Sequence, residues 1–244
     1  MKIALKYVIW RWIHCLPLCV TIVPSTAFTA NDLPWSVLAV LMLYGGAYLA
    51  NTGAVLFGKW IPKFTGMKVL RIDAGYTFID GKRILGDGKT WNGFIGGGIF
   101  SGLLMMLEHA MWSGNSPSEN DVFIDPLIFT YGNEWFFIGN EWGAAFVMGF
   151  VLGIGTMLGD SAGSFVKRRR GHIREGNTSS RALFLDTIPF AIVTFVFGLL
   201  FFSSQVIGDR GLILPMIILL FITPILHRVI NILAFKLNLK DVPY

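Results

Sequence analysis

The chain alternates long apolar runs with charged stretches. Leu33 to Phe57 carries no charged residue over 25 positions, and Trp91 to Leu107, Trp142 to Gly159, Ala182 to Gly208 and Gly211 to Phe235 are the other long apolar runs. Each lies near the ~20 residues a helix needs to cross hydrocarbon. The pattern predicts an all-α, polytopic membrane protein with five transmembrane helices. Tyr7 to Val23 is a sixth candidate, but Arg11, His14 and Pro17 interrupt it. It also reads as an interfacial helix or, more weakly, as a signal-like segment. Residues 1–30 are therefore taken as an N-terminal extension and 31–244 as one membrane domain.

Composition agrees with this class: 54% of the 244 residues are hydrophobic and 14% charged, against about a quarter charged in soluble domains. The net charge of +5 is unevenly spread. Gly58 to Thr90 and Lys167 to Arg181 are rich in Lys and Arg, whereas Glu108 to Glu141 carries six acidic residues and neither Lys nor Arg. The positive-inside tendency places the two basic loops in the cytoplasm and the acidic loop outside. The basic loops suit anionic lipid headgroups or a polyanionic substrate; a nucleic-acid partner is not expected. Cys15 and Cys19 support neither a disulfide framework nor a zinc site, and the four histidines are scattered.

Two stretches carry candidate chemistry. In "RILGDGKTWNGFIGGG", Gly86-Asp87-Gly88-Lys89-Thr90 resembles the tail of a phosphate-binding P-loop. The glycine such a loop needs five residues before Gly88 is Arg83, and the stretch feeds a membrane helix rather than a βαβ unit. What survives is a glycine-lined, cationic approach to a helix N-terminus, a place that favours phosphate. Gly86 and Gly88 give access; Arg83, Lys89 and Lys82 give charge. The later glycines, such as Gly98 with Gly102, Gly149 with Gly153 and Gly159 with Gly163, stand at small-xxx-small spacing and read as helix-packing positions.

The second stretch, "GDSAGSFVKRRRG", puts Asp160 at the end of an uncharged span, with Ser164, Lys167 and Arg168 on the same helical face. Asp186 follows inside the next apolar run. Intramembrane carboxylates are costly and usually mark function. A structural ion pair with a neighbouring Arg is one reading. The other, which we favour, is two carboxylates holding a Mg²⁺ that carries phosphates, with the surrounding cations on the outer phosphate oxygens. An ion-coupled transporter would also use intramembrane aspartates, but the chain shows no internal repeat, and both aspartates belong at one face rather than the midplane.

Together, "AYLANTGAVLF", "IDAGYTFIDGKRILGDGKTWNGFIGG", "GDSAGSFVKRRRG", "LFLD" and the terminal "LKDVPY" resemble the CDP-archaeol synthases over about residues 35 to 244. That family is in turn similar to CDP-diacylglycerol synthases. The resemblance implies a CTP-dependent cytidylyltransferase of the cell membrane. It would use Mg²⁺ to join CMP to the phosphate of bis-O-(geranylgeranyl)glycerol phosphate, with its active site facing the cytoplasm. A diacyl acceptor, phosphatidic acid, is the alternative within the class. Under this reading Asp160 and Asp186 hold metal, with Lys167 beside them as the third catalytic group. Arg83, Gly86, Gly88, Lys89, Ser164 and Arg168 meet phosphates, and Asn51, Asp80 and Asp87 are secondary candidates. Relatives typically carry a second Asp where this chain has Pro189, which implies one metal ligand fewer or a substitute. The N-terminal 30 residues and the acidic loop are longer than the family implies.

Overall fold

The computed structural model describes residues 32–117, 122–171 and 183–236. The segment Tyr7 to Val23, both cysteines, Arg174, Arg181 and the terminal Leu239 to Tyr244 lie outside the described residues. Among the described residues the protein is helical, with no strand and two isolated bridges, Arg71 to Thr90 and Thr77 to Arg83. Its elements are α1 (Leu33–Leu43), α2 (Gly45–Tyr48), α3 (Ala50–Val55), a π-helical turn (Leu56–Trp60), α4 (Ile61–Thr65), α5 (Trp91–Trp112), α6 (Glu141–Arg169), α7 (Leu183–Phe201) and α8 (Ile213–Lys236). Two 3-10 turns, Val206–Gly208 and Arg210–Leu212, join α7 to α8. Among the described residues, four helical stretches are long and apolar enough to cross a membrane: Trp91–Trp112, Glu141–Arg169, Phe184–Phe201 and Arg210–Val229.

The first apolar run departs from the single helix its pattern predicts. It breaks at Tyr44 and again at Leu49 before the π-helical turn. Backbone groups freed in an apolar medium need partners, and side chains of other elements provide them. Gly46 N–H donates to Glu108 Oε1 at 3.0 Å, and Thr156 Oγ1 donates to the Ala47 carbonyl at 3.0 Å. The buried Tyr44 hydroxyl donates to the Ile207 carbonyl at 2.7 Å. Glu108, which the charge pattern puts at the start of the acidic loop, therefore lies inside α5 and services the break. Likewise α7 stops at Phe201, short of the Gly208 that the apolar run reaches, and Ser203, Ser204 and Gln205 begin the turn into α8.

The core is built around α6, with α5 on one side and α7 on the other. Facing glycines bring α5 and α6 together: a Cβ on Gly149 would lie 2.9 Å from Gly102 Cα, and one on Gly153 3.0 Å from Gly98 Cα. Ser101 Oγ donates to the Gly149 carbonyl across this contact at 2.7 Å. On the α7 side, a Cβ on Gly159 or Gly163 would run into the carbonyl oxygens of Pro189 and Leu185. The packing role read from the glycine spacing is thus what the helices use.

Capping fixes where the two central helices start. Thr90 Oγ1 accepts from Gly93 N–H at 3.1 Å and Asn140 Oδ1 from Gly143 N–H at 2.9 Å. With 29 residues, α6 is about 43 Å long, so its last turns stand clear of a hydrocarbon layer of about 30 Å. Those turns carry Lys167, Arg168 and Arg169, cations at the negative end of the helix dipole. At the opposite end, the described part of the acidic loop folds over the helices. Asp125 lies 2.8 Å from His109 Nδ1 and accepts from the N–H groups of Gly114 and Leu127, and Trp135 stacks on Phe202.

Candidate active site

At the basic end, the segment between α4 and α5 is folded around one carboxylate. Asp73 Oδ1 accepts from Gly75 N–H at 3.1 Å, and Oδ2 accepts from Leu85 N–H at 3.1 Å and Gly86 N–H at 2.9 Å. Arg83 Nη2 adds a charged bond to Oδ1 at 3.0 Å. Burial raises the Asp73 pKa, but Arg83 and the three amides outweigh it and hold the carboxyl well below the usual carboxylate range. Arg83 also pairs with Asp87 at 2.9 Å; its bonds to these two carboxylates raise its own pKa. The base of the loop is closed by Ile72 N–H on the Lys89 carbonyl and Trp91 N–H on the Leu70 carbonyl.

This rigid loop delivers Lys89 to Asp160, with which it forms an ion pair. A second ion pair, Lys167 with Asp186, joins α6 to α7. The groups are partly exposed, Lys89 and Asp160 at 19% and 17%, Lys167 and Asp186 at 15% and 26% of their side-chain surface. Asp160 adjoins Gly159 and Asp186 adjoins Leu185, so the close crossing of α6 and α7 at Gly159, Gly163, Leu185 and Pro189 fixes how the helices that carry them are packed. Ser164 is buried one turn beyond Asp160. Arg168 Nε donates to the Leu85 carbonyl at 3.3 Å. Its guanidinium covers Gly86, where a φ of +95° strains any other residue and an added Cβ would lie 3.0 Å from Arg168 Nε.

The structure thus gathers Lys89, Asp160, Ser164, Lys167, Arg168 and Asp186 at one end of the bundle. Other sequence candidates serve the loop itself. Gly86 N–H donates to Asp73, and the N–H groups of Trp91 and Gly93 donate to Leu70 and Thr90, so protein groups already occupy these three donors near the helix start. Arg83 and Asp87 pair with each other, while Asp80 lies 2.7 Å from Arg169 Nε. Gly88 is exposed and outside the left-handed region, and Asn51 is half-buried on α3. Two residues the sequence reading passed over prove central: Asp73 and Arg169. Asp73 had a signal in its Asp-Ala-Gly sequence, which suits an Asx turn. Arg169 was hidden in a run of four cations.

Among the described residues no three His, Cys, Asp or Glu side chains stand together as a metal cage. The donor chemistry still fits Mg²⁺. Asp160 and Asp186 are hard oxygen ligands, partly open, and paired with lysines rather than with arginine forks. Mg²⁺ usually takes one or two carboxylates and completes its shell with substrate phosphates and water. Each carboxylate has a lysine as its counter-ion, so the local charge is balanced.

Comparison with known proteins identifies the family. The family model described as CarS-like, CDP-archaeol synthase, matches residues 35–244. The chain is similar to the CDP-archaeol synthase of Archaeoglobus fulgidus, 35% identical over 214 residues that cover 85% of this chain and 98% of the relative. That of Picrophilus torridus is 35% identical over 209 residues, covering 85% and 97%. A solved structure of an intramembrane enzyme for archaeal membrane lipid biosynthesis superposes with a TM-score of 0.50 at 26% identity, covering 80% of this chain and 94% of that one. With a family model over most of its length and relatives matched nearly end to end, the chain belongs to the CDP-archaeol synthase family.

Proposed function

We infer that the protein transfers CMP from CTP to the phosphate of bis-O-(geranylgeranyl)glycerol phosphate in membrane lipid synthesis. The observation that carries this reading is the pair of Lys–Asp contacts where α5, α6 and α7 meet, in a chain whose relatives are named CDP-archaeol synthases. An oxygen of the lipid phosphate bonds to the α-phosphorus of CTP while the bond to the β-phosphate oxygen breaks, and pyrophosphate leaves. Such a displacement asks the protein for positioning and charge neutralisation more than for covalent chemistry.

Lys89, Lys167 and Arg168 would neutralise phosphate oxygens, and Ser164 would offer a neutral donor on the same helix. Asp160 and Asp186 would hold Mg²⁺, which supplies further neutralisation and aligns the phosphates. Removing one well-placed donor from a site of this kind costs about 10²–10³-fold in turnover. The broken run from Leu33 to Thr65 is assigned as a fifth crossing, supported by its Gly46 and Ala47 contacts to α5 and α6. The Lys and Arg bias places the basic end in the cytoplasm, where CTP is made. Neither the diacyl-lipid nor the transporter alternative gains support from the relatives.

The test is direct. Purified protein in detergent is given labelled CTP and Mg²⁺ with either the isoprenoid ether lipid phosphate or phosphatidic acid. CDP-lipid should form with the ether lipid. No product with either acceptor overturns the enzyme reading, and product with phosphatidic acid alone overturns the lipid assignment.

A further inference from the structure

The geometry points to Arg169 as a positioning residue that sets Lys89 in the site, an inference that rests on Lys89 meeting a CTP phosphate. Arg169 is the last residue of α6. Its Nη2 donates to the Arg83 carbonyl at 2.7 Å and the Lys82 carbonyl at 3.2 Å, and Lys82 Nζ returns a bond to the Arg169 carbonyl at 2.9 Å. Arg169 Nε lies 2.7 Å from Asp80 Oδ2. The guanidinium carbon sits 4.4 Å from the Phe165 ring centre and 5.0 Å from that of Phe78, and the two rings meet edge to face. Nη2 alone makes the hydrogen bonds, while the flat guanidinium lies against two aromatic rings and beside the Asp80 carboxylate, contacts that a compact ammonium reproduces poorly.

The Asp73 network fixes the shape of the loop but not its place on α6. That place is set by the Lys89–Asp160 pair near the membrane, by Arg168 at Leu85, and by Arg169 at the far end. Arg169 is nine residues beyond Asp160, about 13.5 Å along the helix, so it acts at a distance from the reacting phosphates. The Lys89–Asp160 pair is the contact that phosphate and metal must disturb. Once Lys89 turns to a phosphate, the loop stays registered on α6 through Arg169 and its neighbour Arg168. Arg169 therefore works through Lys89, which it holds at the height of the site.

The test is a double-mutant cycle on CTP kinetics in detergent, with wild type, Lys89→Ala, Arg169→Ala, Arg169→Lys and the Lys89→Ala/Arg169→Ala double variant. Arg169→Ala should raise KM for CTP by about tenfold or more and leave KM for the lipid within about twofold. Arg169→Lys should resemble Arg169→Ala, and it carries the test if Arg169→Ala fails to fold. The double variant should fall within about threefold of Lys89→Ala, where independent losses would multiply to roughly a hundredfold. A wild-type KM in Arg169→Ala, or multiplicative losses, overturns the inference while the enzyme reading stands. If wild type itself makes no CDP-lipid, the enzyme reading fails, and the cycle is read on equilibrium CTP binding, where additive losses again overturn the role of Arg169.

Discussion

Lys167 of α6 and Asp186 of α7 pair across a crossing that Gly159 and Gly163 keep narrow enough for the two helices to touch backbone to backbone. The pair therefore has two duties, holding the helices in register and storing a carboxylate for use. These duties separate by mutation. Lys167→Met leaves the partly buried Asp186 carboxylate without its partner, at a cost of about 1–3 kcal/mol. Lys167→Met with Asp186→Asn leaves two neutral groups and should recover part of that loss. Thermal unfolding in detergent should rank wild type first, the double variant next and Lys167→Met last, with turnover lost in both variants. Equal melting temperatures for wild type and Lys167→Met would deny the pair its structural duty.

The same crossing makes Gly163 intolerant of the smallest side chain. A Cβ there meets the Leu185 carbonyl oxygen, a backbone atom that cannot rotate away. Overpacking of this kind costs typically about 1–3 kcal/mol, and here it would also move Asp186 relative to Asp160. Gly163→Ala is expected to unfold at lower temperature and to lose turnover. Unchanged activity at a lowered melting temperature would mean that the spacing of the two aspartates is not set here.

The apolar runs made most of the fold legible, because four of them are long and carry few charges, and Thr90 and Asn140 cap the starts of two of the helices they form. The broken course of Leu33 to Thr65 was not legible. Its kinks depend on Glu108 and Thr156, residues 62 and 109 positions away from the backbone groups they satisfy. For the candidate site, Asp160 and Asp186 stand out in the sequence as charges at the end of or inside apolar runs, and the structure pairs them with Lys89 and Lys167. Arg83 and Gly86 were read as phosphate contacts, and in the structure both bond to Asp73, a partner the sequence pattern did not point to. A glycine-rich cationic loop looks alike in sequence whether its anion is a substrate phosphate or its own carboxylate.

That internal carboxylate gives the loop a defined pH dependence. A group held below its unfolded value of about 3.9 contributes stability above that pH and loses it as pH falls through its folded pKa. The loop from Arg71 to Thr90 should keep slow amide exchange at Leu85 and Gly86 from neutral pH down to about pH 4 and loosen only below it. Asp73→Asn removes the charge and should expose both amides at neutral pH. Equal protection in wild type and variant would show that Asp73 does not organise the loop.

The final prediction concerns how metal and nucleotide arrive. With Lys89 on Asp160 and Lys167 on Asp186, each carboxylate already has a counter-ion, so a divalent cation alone competes with both lysines. CTP offers the lysines phosphate oxygens in exchange and adds oxygen ligands for the metal. Metal and nucleotide should therefore strengthen each other's binding, by the same factor in either order. Mn²⁺ binding followed by electron paramagnetic resonance is expected to tighten by about tenfold or more when CTP is present, a coupling of about 1.4 kcal/mol. Lys89→Met/Lys167→Met should bind Mn²⁺ more tightly than wild type without nucleotide, because its carboxylates have lost their competitors. Mn²⁺ that binds wild type equally well with and without CTP would show that the lysines do not guard the carboxylates.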